Sequence, residues 1–359
     1  SETNFRVFAE EEPISPSYNW TREYYGKIKG DRKLLYTRSF ERSQLRFVDI
    51  DNDGDEDLFV GKKDGRIAFF KNQGNLTNPI FKLNSEDFVV THEGFDKQNN
   101  PSLLKIILDV GSNASPEFID IDNDGDFDLF VGSKDGHIFH YENRGNQLSP
   151  VFYRKTPIYM GLKFDGNTVP RFFDVNGDRA FDLLVGTRSG KVHLFLNSGM
   201  ADEAVFCEKF NVLDTSDMRC KYQPDMIDDI SPQIDAVPEL VDWDQDNDFD
   251  LIVGKSNGKI NYYHNHGDRF EPKWQIKSSH FQFIDAGSNV APTFKDLNQD
   301  NYPELFLGTS SSKIIYYENN DILMNQLGKI SRVQIESIDK TSSFDDILSQ
   351  VCGQLGELP

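Results

Sequence analysis

The 359-residue sequence predicts an all-β fold, a β-propeller built from tandem four-stranded blades. Three observations lead there. A carboxylate-rich loop followed by a short apolar run ending in Gly recurs five times between Asp49 and Gly308. Each apolar run is joined by a turn pair to a second β-rich run ending in Asn, the local signal of a hairpin. No helical period lies between these units, which excludes a βαβ sheet. A single four-stranded sheet cannot bury both faces, but blades stacked in a ring can.

The clearest copy runs from Phe118 to Asn143. Asp120, Asp122, Asp124, Asp126 and Asp128 stand at every second position; Leu129–Val131 follows and stops at Gly132, and Asp135-Gly136 leads into Ile138–Tyr141. A turn needs only one Asp-Gly pair. Five carboxylates so close repel one another, by roughly 1 kcal/mol per pair at ~4 Å even in water-like dielectric, so something positive must offset them. Asp at positions one, three and five, Gly at six, a backbone carbonyl at seven and Asp at nine is the oxygen-ligand pattern of a calcium loop. The candidate ligands are therefore Asp49, Asp51, Asp53, Asp55 and Asp57 in loop one and Asp120, Asp122, Asp124, Asp126 and Asp128 in loop two. Loop three offers Asp174, Asn176, Asp178, Ala180 and Asp182; loop four offers Asp242, Asp244, Asp246, Asp248 and Asp250. Loop five offers Asp296, Asn298, Asp300, Tyr302 and Glu304. Ala180 and Tyr302 enter through the backbone carbonyl at position seven.

In chain order, residues 1–46 form an N-terminal segment with strands expected at Phe5–Phe8 and Leu34–Thr37, predicted to supply closing strands. Residues 47–319 carry the repeats. After each loop comes a strand, at Leu58–Gly61, Leu129–Gly132, Leu183–Gly186, Leu251–Gly254 and Leu305–Gly308. The turn pairs are Asp64-Gly65, Asp135-Gly136, Ser189-Gly190, Asn257-Gly258 and Ser311-Ser312, and the next strands end at Asn72, Asn143, Asn197, Asn265 and Asn319. Phe81, Phe152, Phe206 and Trp274 mark fourth strands, and Pro116, Pro170, Pro238 and Pro292 each precede a loop by four residues. Inserts at 91–108 and 207–236 are places for partner contact, because inserted loops on a rigid scaffold concentrate it. Residues 320–359 are expected to give a strand at Arg332–Ile338 and a short C-terminal helix from Ser343, with Phe344, Ile347, Leu348, Val351 and Leu355 on one face. The mean interval between loops, about 62 residues, fits almost six times into the chain. Six blades are expected, within a range of five to seven, the extra one built from both termini.

Composition narrows the function class. A net charge of −21 argues against nucleic acid or anionic membrane as a partner, and five bound calcium ions would offset roughly half of it. No apolar run reaches the ~18 residues a membrane span needs. Opening at Ser1 is compatible with a processed chain. Cys207 and Cys220 could pair in an oxidising compartment or stay as buried thiols; Cys352 stands apart. Sequons at Asn19, Asn75 and Asn113 are no more than chance supplies in an Asn-rich chain. There is no nucleophile elbow and no HExxH. His140, His193 and His264 fall on third strands and are expected to pack against the sheet; Tyr316 and Tyr317 are expected to pack likewise.

The repeated Asp-X-Asp-X-Asp-Gly-X-X-Asp-Leu-X-Val-Gly resembles the FG-GAP and VCBS-type repeat and is similar to the propeller of integrin α subunits, over about Phe47–Asn319. The resemblance implies calcium in a loop between the first two strands of each blade, and binding or adhesion more often than catalysis. The expected function is a calcium-binding, non-catalytic module for a protein or glycan ligand. The rival readings are a polysaccharide lyase or hydrolase on a propeller scaffold and a structural subunit docking through 207–236 or the C-terminal helix. Loops of extracellular affinity, ~10⁻⁴ to 10⁻³ M, would not fill in cytosol, which points outside the cell, to its surface or to the secretory lumen. Ligand charge and fit rank loops one and two as the strongest sites, four next, and three and five weakest, because Asn replaces Asp at position three of loops three and five and Arg179 stands at the bend of loop three.

Overall fold

The computed structural model describes residues 4–8, 20–29, 42–75, 79–95, 100–199, 204–206, 223–227, 235–297, 299, 301–310 and 314–319. The expected strands Leu34–Thr37 and Arg332–Ile338, the C-terminal helix and all three cysteines lie outside these residues.

Two N-terminal strands, β1 (Asn4–Phe8) and β2 (Trp20–Lys29), pair with each other before the first repeat. Blade one is β3 (Gln44–Val48), β4 (Asp57–Gly61), β5 (Ile67–Asn72) and β6 (Phe81–Ser85). A hairpin, β7 (Val89–Phe95) and β8 (Pro101–Ile107), occupies the first insert. Blade two follows as β9 (Ser115–Ile119), β10 (Asp128–Gly132), β11 (Ile138–Asn143) and β12 (Phe152–Thr156), with β7 laid parallel against β12. Blade three is β13 (Val169–Phe173), β14 (Asp182–Gly186), β15 (Val192–Phe195) and β16 (Gln223–Ile227). Blade four is β17 (Ala236–Val241), β18 (Asp250–Lys255), β19 (Ile260–Asn265) and β20 (Trp274–Ser278). Blade five is β21 (Ala291–Lys295), β22 (Glu304–Gly308) and β23 (Ile314–Asn319), completed by β2 from the N-terminus, whose Trp20 to Tyr25 pair with Asn319 to Ile314.

Five blades close the ring, not the expected six. The inner strands β3, β9, β13, β17 and β21 neighbour one another in sequence order, and β21 returns to β3. The N-terminal strand and the last repeat, counted separately in the expectation of six, make a single blade. That arrangement also removes the open edge that β23 would otherwise present.

A second correction concerns blade three. Phe206 makes only an isolated bridge with Asn197, and the outer strand is β16, drawn from inside the 207–236 insert. Part of that insert is thus blade rather than contact loop.

Apolar contacts fill the space between neighbouring blades. Phe59 of blade one packs on Phe118 of blade two at 4.5 Å, and Phe130 on Phe172 across the next junction at 4.7 Å. Phe47 meets Phe306 of blade five at 4.7 Å, sealing the ring with the same aromatic contact. Ring pairs of this kind bury large area without polar cost.

The Gly ending each second strand has a single reason. A Cβ on Gly61, Gly132, Gly186 or Gly254 would stand 2.1–2.3 Å from a carbonyl oxygen of the next blade, next to that blade's Pro116, Pro170, Pro238 or Pro292. Gly308 meets Ser43 of blade one in the same way, at 2.0 Å. The repeat's Gly and Pro are therefore two halves of one inter-blade contact. Among the described residues no helix is long and apolar enough to cross a membrane.

Candidate metal loops and the axial charge ring

Each acidic loop leaves the inner strand of its blade and enters the second strand, so all five sit at the same end of their blades. Loop one reaches the β11–β12 turn of blade two, where Asn52 donates to Gln147 (3.2 Å), and loops four and five touch, Gln245 donating to the carbonyl of Asn301 (3.4 Å).

The first carboxylate of each loop folds the turn. Asp49 accepts the N–H groups of Asp53 and Gly54, Asp120 those of Asp124 and Gly125, and Asp242 those of Asp246 and Asn247, at 3.0–3.1 Å. The bend at position six needs a positive φ. Gly54 (93°) and Gly125 (95°) take it without strain, whereas Arg179 (73°), Asn247 (73°) and Asn301 (69°) hold it with a side chain. The ninth-position carboxylate is buried and accepts the N–H of the third-strand Asn, at 2.7–2.8 Å in Asp57–Asn72, Asp128–Asn143, Asp182–Asn197 and Asp250–Asn265. The side chains of those Asn residues then accept two N–H groups each from the following turn, as Asn72 does from Gly74 and Ile80. The recurring Asn is structural, holding the loop's last ligand.

In loops one, two and four the carboxylates of positions one, three and five converge within 4.8 Å of one another: Asp49, Asp51 and Asp53; Asp120, Asp122 and Asp124; Asp242, Asp244 and Asp246. Several carboxylate oxygens there are buried with no hydrogen-bond partner, namely Asp51 Oδ1, Asp55 Oδ1 and Asp57 Oδ2 in loop one, Asp126 Oδ1 in loop two and Asp248 Oδ1 in loop four. Asp57 is fully buried. Burial pushes its carboxyl up to about 7, with Asp51 and Asp53 adding to the rise, and burial followed by Asp124 or Asp246 pushes Asp126 and Asp248 up to about 6. Orphaned, crowded and hard oxygen donors fit a calcium ion and little else of biological abundance except magnesium.

Loop three is arranged differently. Asn176 donates to Asp178 (2.9 Å), and Asp182 spends its second oxygen on the N–H of Val175 (3.0 Å). Burial pushes Asp182 up to about 7, and Asp174 keeps one orphaned oxygen. In loop five Glu304 likewise accepts the N–H of Leu297 (2.8 Å), and Asp296 accepts that of Asn301; Asn298 and Asp300 lie outside the described residues.

The third strand adds a residue that differs from loop to loop, just before the recurring Asn. Lys71 places its ammonium against Asp51 and 3.2 Å from Asp53. Glu142 instead pairs outward with Arg144 and Lys155. His264 Nδ1 lies 3.1 Å from Asp250 and 3.4 Å from Asp244, so it reaches the loop rather than only packing on the sheet. His140 does both: it stacks on Phe130 at 4.3 Å and sits 3.0 Å from Asp128. Tyr317 is buried and Tyr316 packs on Phe306, as strand residues rather than an exposed platform.

A second polar construction fills the propeller axis. The middle residue of each inner strand points inward: Arg46, Glu117, Arg171, Glu239 and Thr293, one per blade. Glu117 Oε2 accepts from Arg46 and from Arg171 (3.4 Å); Glu239 Oε2 accepts from Arg46 (2.8 Å) and Arg171 (3.2 Å). Arg46 also donates to Thr293 (3.2 Å). The result is a closed cycle of two guanidinium and two carboxylate groups, with Arg171 wholly buried. Burial pushes Glu117 and Glu239 up to about 7 against the pull of Arg46. Above it, Asp235 accepts from Arg42 (2.5 Å) and Asn167 (2.6 Å), and Asn167 accepts from Asn113 (2.8 Å). The Asn113 sequon nitrogen is thereby engaged in a part-buried hydrogen bond. The sequence reading missed the axial ring, although it left a trace: in four of the five repeats the charged or polar residue directly follows the repeat's Pro.

The profile of the FG-GAP-like repeat matches residues 120–185 and 242–307, which run from loop two into β14 and from loop four into β22. The chain is a β-propeller that carries FG-GAP-like repeats at two sites. No curated protein sequence matches it. Among solved structures it is similar to an Agrocybe aegerita lectin described as recognising non-reducing terminal N-acetylglucosamine, at 18% identity and a TM-score of 0.36, covering 74% of this chain and 60% of the lectin. It is also similar to BBS1N in complex with ARL6DN, in lead- and mercury-soaked crystals, both at 13% identity, with TM-scores of 0.33 and 0.36. Those alignments cover 77% and 78% of this chain and 91% and 93% of BBS1N. The chain spans about three fifths of the lectin's length.

Proposed function

We propose that this FG-GAP repeat propeller is a calcium-stabilised, non-catalytic recognition module for a protein or glycan ligand, working outside the cell, at its surface or in the secretory lumen. The observation that carries the reading is the convergence of three carboxylates in each of loops one, two and four, beside buried carboxylate oxygens that have no partner. A non-catalytic role is supported by the repetition of the acidic loops, since a structural ion suits many equal sites and an enzyme needs one distinctive site. The axial ring supports it too, because its charged groups are spent on one another. For partner contact the hairpin β7–β8 offers an edge strand exposing Leu103, Leu104, Ile106 and Ile107, an arrangement suited to docking.

Ions held by the native state alone add RT ln(1 + [L]/Kd) per site, so several sites at tenfold saturation give several kcal/mol. Chelation is expected to lower the melting temperature by many degrees, and magnesium to restore it poorly, because its rigid octahedral shell suits these loops less well. Identical melting with calcium and with chelator removes the calcium reading. The effect carries a pH signature. Asp57, Asp126 and Asp248 have native carboxyls raised above 3.8, so without metal their contribution is favourable at pH below about 4 and is lost as pH rises through 6 to 7. Calcium replaces those protons. The calcium-induced gain in melting temperature should therefore grow from pH 5 to pH 8, and a gain that shrinks over that range contradicts the assignment. Glycan arrays and protein capture with the full chain in calcium address the ligand; release of cleaved glycan products would overturn the non-catalytic reading.

A further inference from the structure

Loops one and two read Asp-Ile-Asp-Asn-Asp-Gly-Asp-Glu-Asp and Asp-Ile-Asp-Asn-Asp-Gly-Asp-Phe-Asp, so their ligand sets are the same from Asp49 to Asp57 and from Asp120 to Asp128. Ligand counting makes them equal sites. The third strands break the equality. In blade one the residue before Asn72 is Lys71, and its ammonium reaches Asp51 and Asp53, the third- and fifth-position carboxylates. In blade two the corresponding residue is Glu142, whose charge is taken up by Arg144 and Lys155 on the same sheet. The two positions are matched by the strand register, since Asn72 and Asn143 each donate to the ninth-position carboxylate of their own loop.

We propose that Lys71 is a tethered counter-ion of loop one, which calcium must displace, so that loop one fills after loop two despite an identical set of ligands. The inference rests on the calcium reading above and concerns one residue of this chain. Lys71 neutralises two carboxylates but leaves Asp51 Oδ1, Asp55 Oδ1 and the fully buried Asp57 Oδ2 without a partner. A monovalent, one-sided donor therefore covers part of the loop and leaves the rest of its oxygens for a multidentate ion. An ammonium has no acceptor and cannot join a calcium shell, so the two cations exclude each other from Asp51 and Asp53. With calcium low, Lys71 holds the loop together; with calcium high, its side chain, which is partly exposed, swings to solvent. The carboxylate-count ranking that sets loop one beside loop two is thereby reordered.

The test is calcium titration calorimetry and thermal melting of the full chain, comparing wild type, Lys71→Met and Glu142→Lys. Lys71→Met should tighten one site by about tenfold, the effect of a unit charge ~6 Å from a dication even in water-like dielectric, and Asp53→Ala added to it should abolish the gain. In chelator, Lys71→Met should melt below wild type, and in saturating calcium at or above it. Glu142→Lys, which leaves loop one alone, should weaken a loop-two site by a similar factor. Unchanged calcium affinity in Lys71→Met, with binding otherwise intact, overturns the inference while leaving the calcium reading standing. Equal loss of melting temperature with and without calcium also overturns it, since that is the behaviour of an ordinary ion pair. Absence of calcium binding at every loop overturns both.

Discussion

Removing residues 1–29 is expected to lower the melting temperature by about 10 °C, because it strips the fourth strand from blade five and reopens the ring. Strand β2 pairs with β23 over six residues, and β1 reaches on to β6 of blade one through Asn4 and Lys82. Each lost backbone hydrogen bond is worth about 1 kcal/mol net, and the exposed face of β23 adds apolar area to the loss. The freed edge of β23 would also be a template for pairing between chains, so the truncated protein should associate as well as melt early. Differential scanning calorimetry with light scattering reads both effects. A truncated chain with the full melting temperature and no added association contradicts closure by the N-terminus.

The axial ring gives the second large effect. Arg46→Met removes the one guanidinium that bonds both carboxylates and Thr293, leaving buried Glu117 and Glu239 to share Arg171. Breaking a buried pair from one side typically costs about 3–5 kcal/mol, whereas replacing the whole set by apolar groups is often neutral. Arg46→Met should therefore be strongly destabilising in denaturant unfolding. The same substitution made together with Glu117→Gln should cost less, because one guanidinium and one carboxylate, Arg171 and Glu239, then remain as a pair. A cost below about 0.5 kcal/mol for Arg46→Met alone would mean that the ring does not brace the axis.

How much of this was legible in the sequence depended on whether the cause was local. The loops, the second strands and the hairpins were visible because acidic ligand spacing, apolar runs and Asp-Gly turns are short-range signals: Gly65 and Gly136 take the positive φ their turns require. The recurring Gly and Pro were visible as a pattern but not as a contact, since Gly61 meets Ala114 and Pro116 only once two blades are side by side. The expected count of six, within a range of five to seven, came out one too high for the same reason. Nothing local in Trp20–Lys29 says that its partner is Ile314–Asn319 at the other end of the repeats. Phe206 misled because its spacing from Asn197 matches the fourth strands of other blades, while the chain between it and Gln223 carries the strand onward.

The axial ring was hidden by the averaging that made the fold clear. Arg46, Glu117, Arg171, Glu239 and Thr293 share a position but not a residue type, so a search for what repeats passes over them. Their alternation of charge makes sense only around a closed circle. Lys71 was overlooked likewise, and His264 was assigned to sheet packing rather than to the loop, because the position before the recurring Asn varies from blade to blade.

The central claim, that the acidic loops hold calcium, is tested most directly by crystals of the full chain grown in calcium and measured for anomalous scattering. The account predicts peaks at the convergence of Asp120, Asp122 and Asp124 and of Asp242, Asp244 and Asp246, with loop one appearing only at higher calcium. Calcium-grown crystals showing no anomalous peak at any of these loops would contradict it.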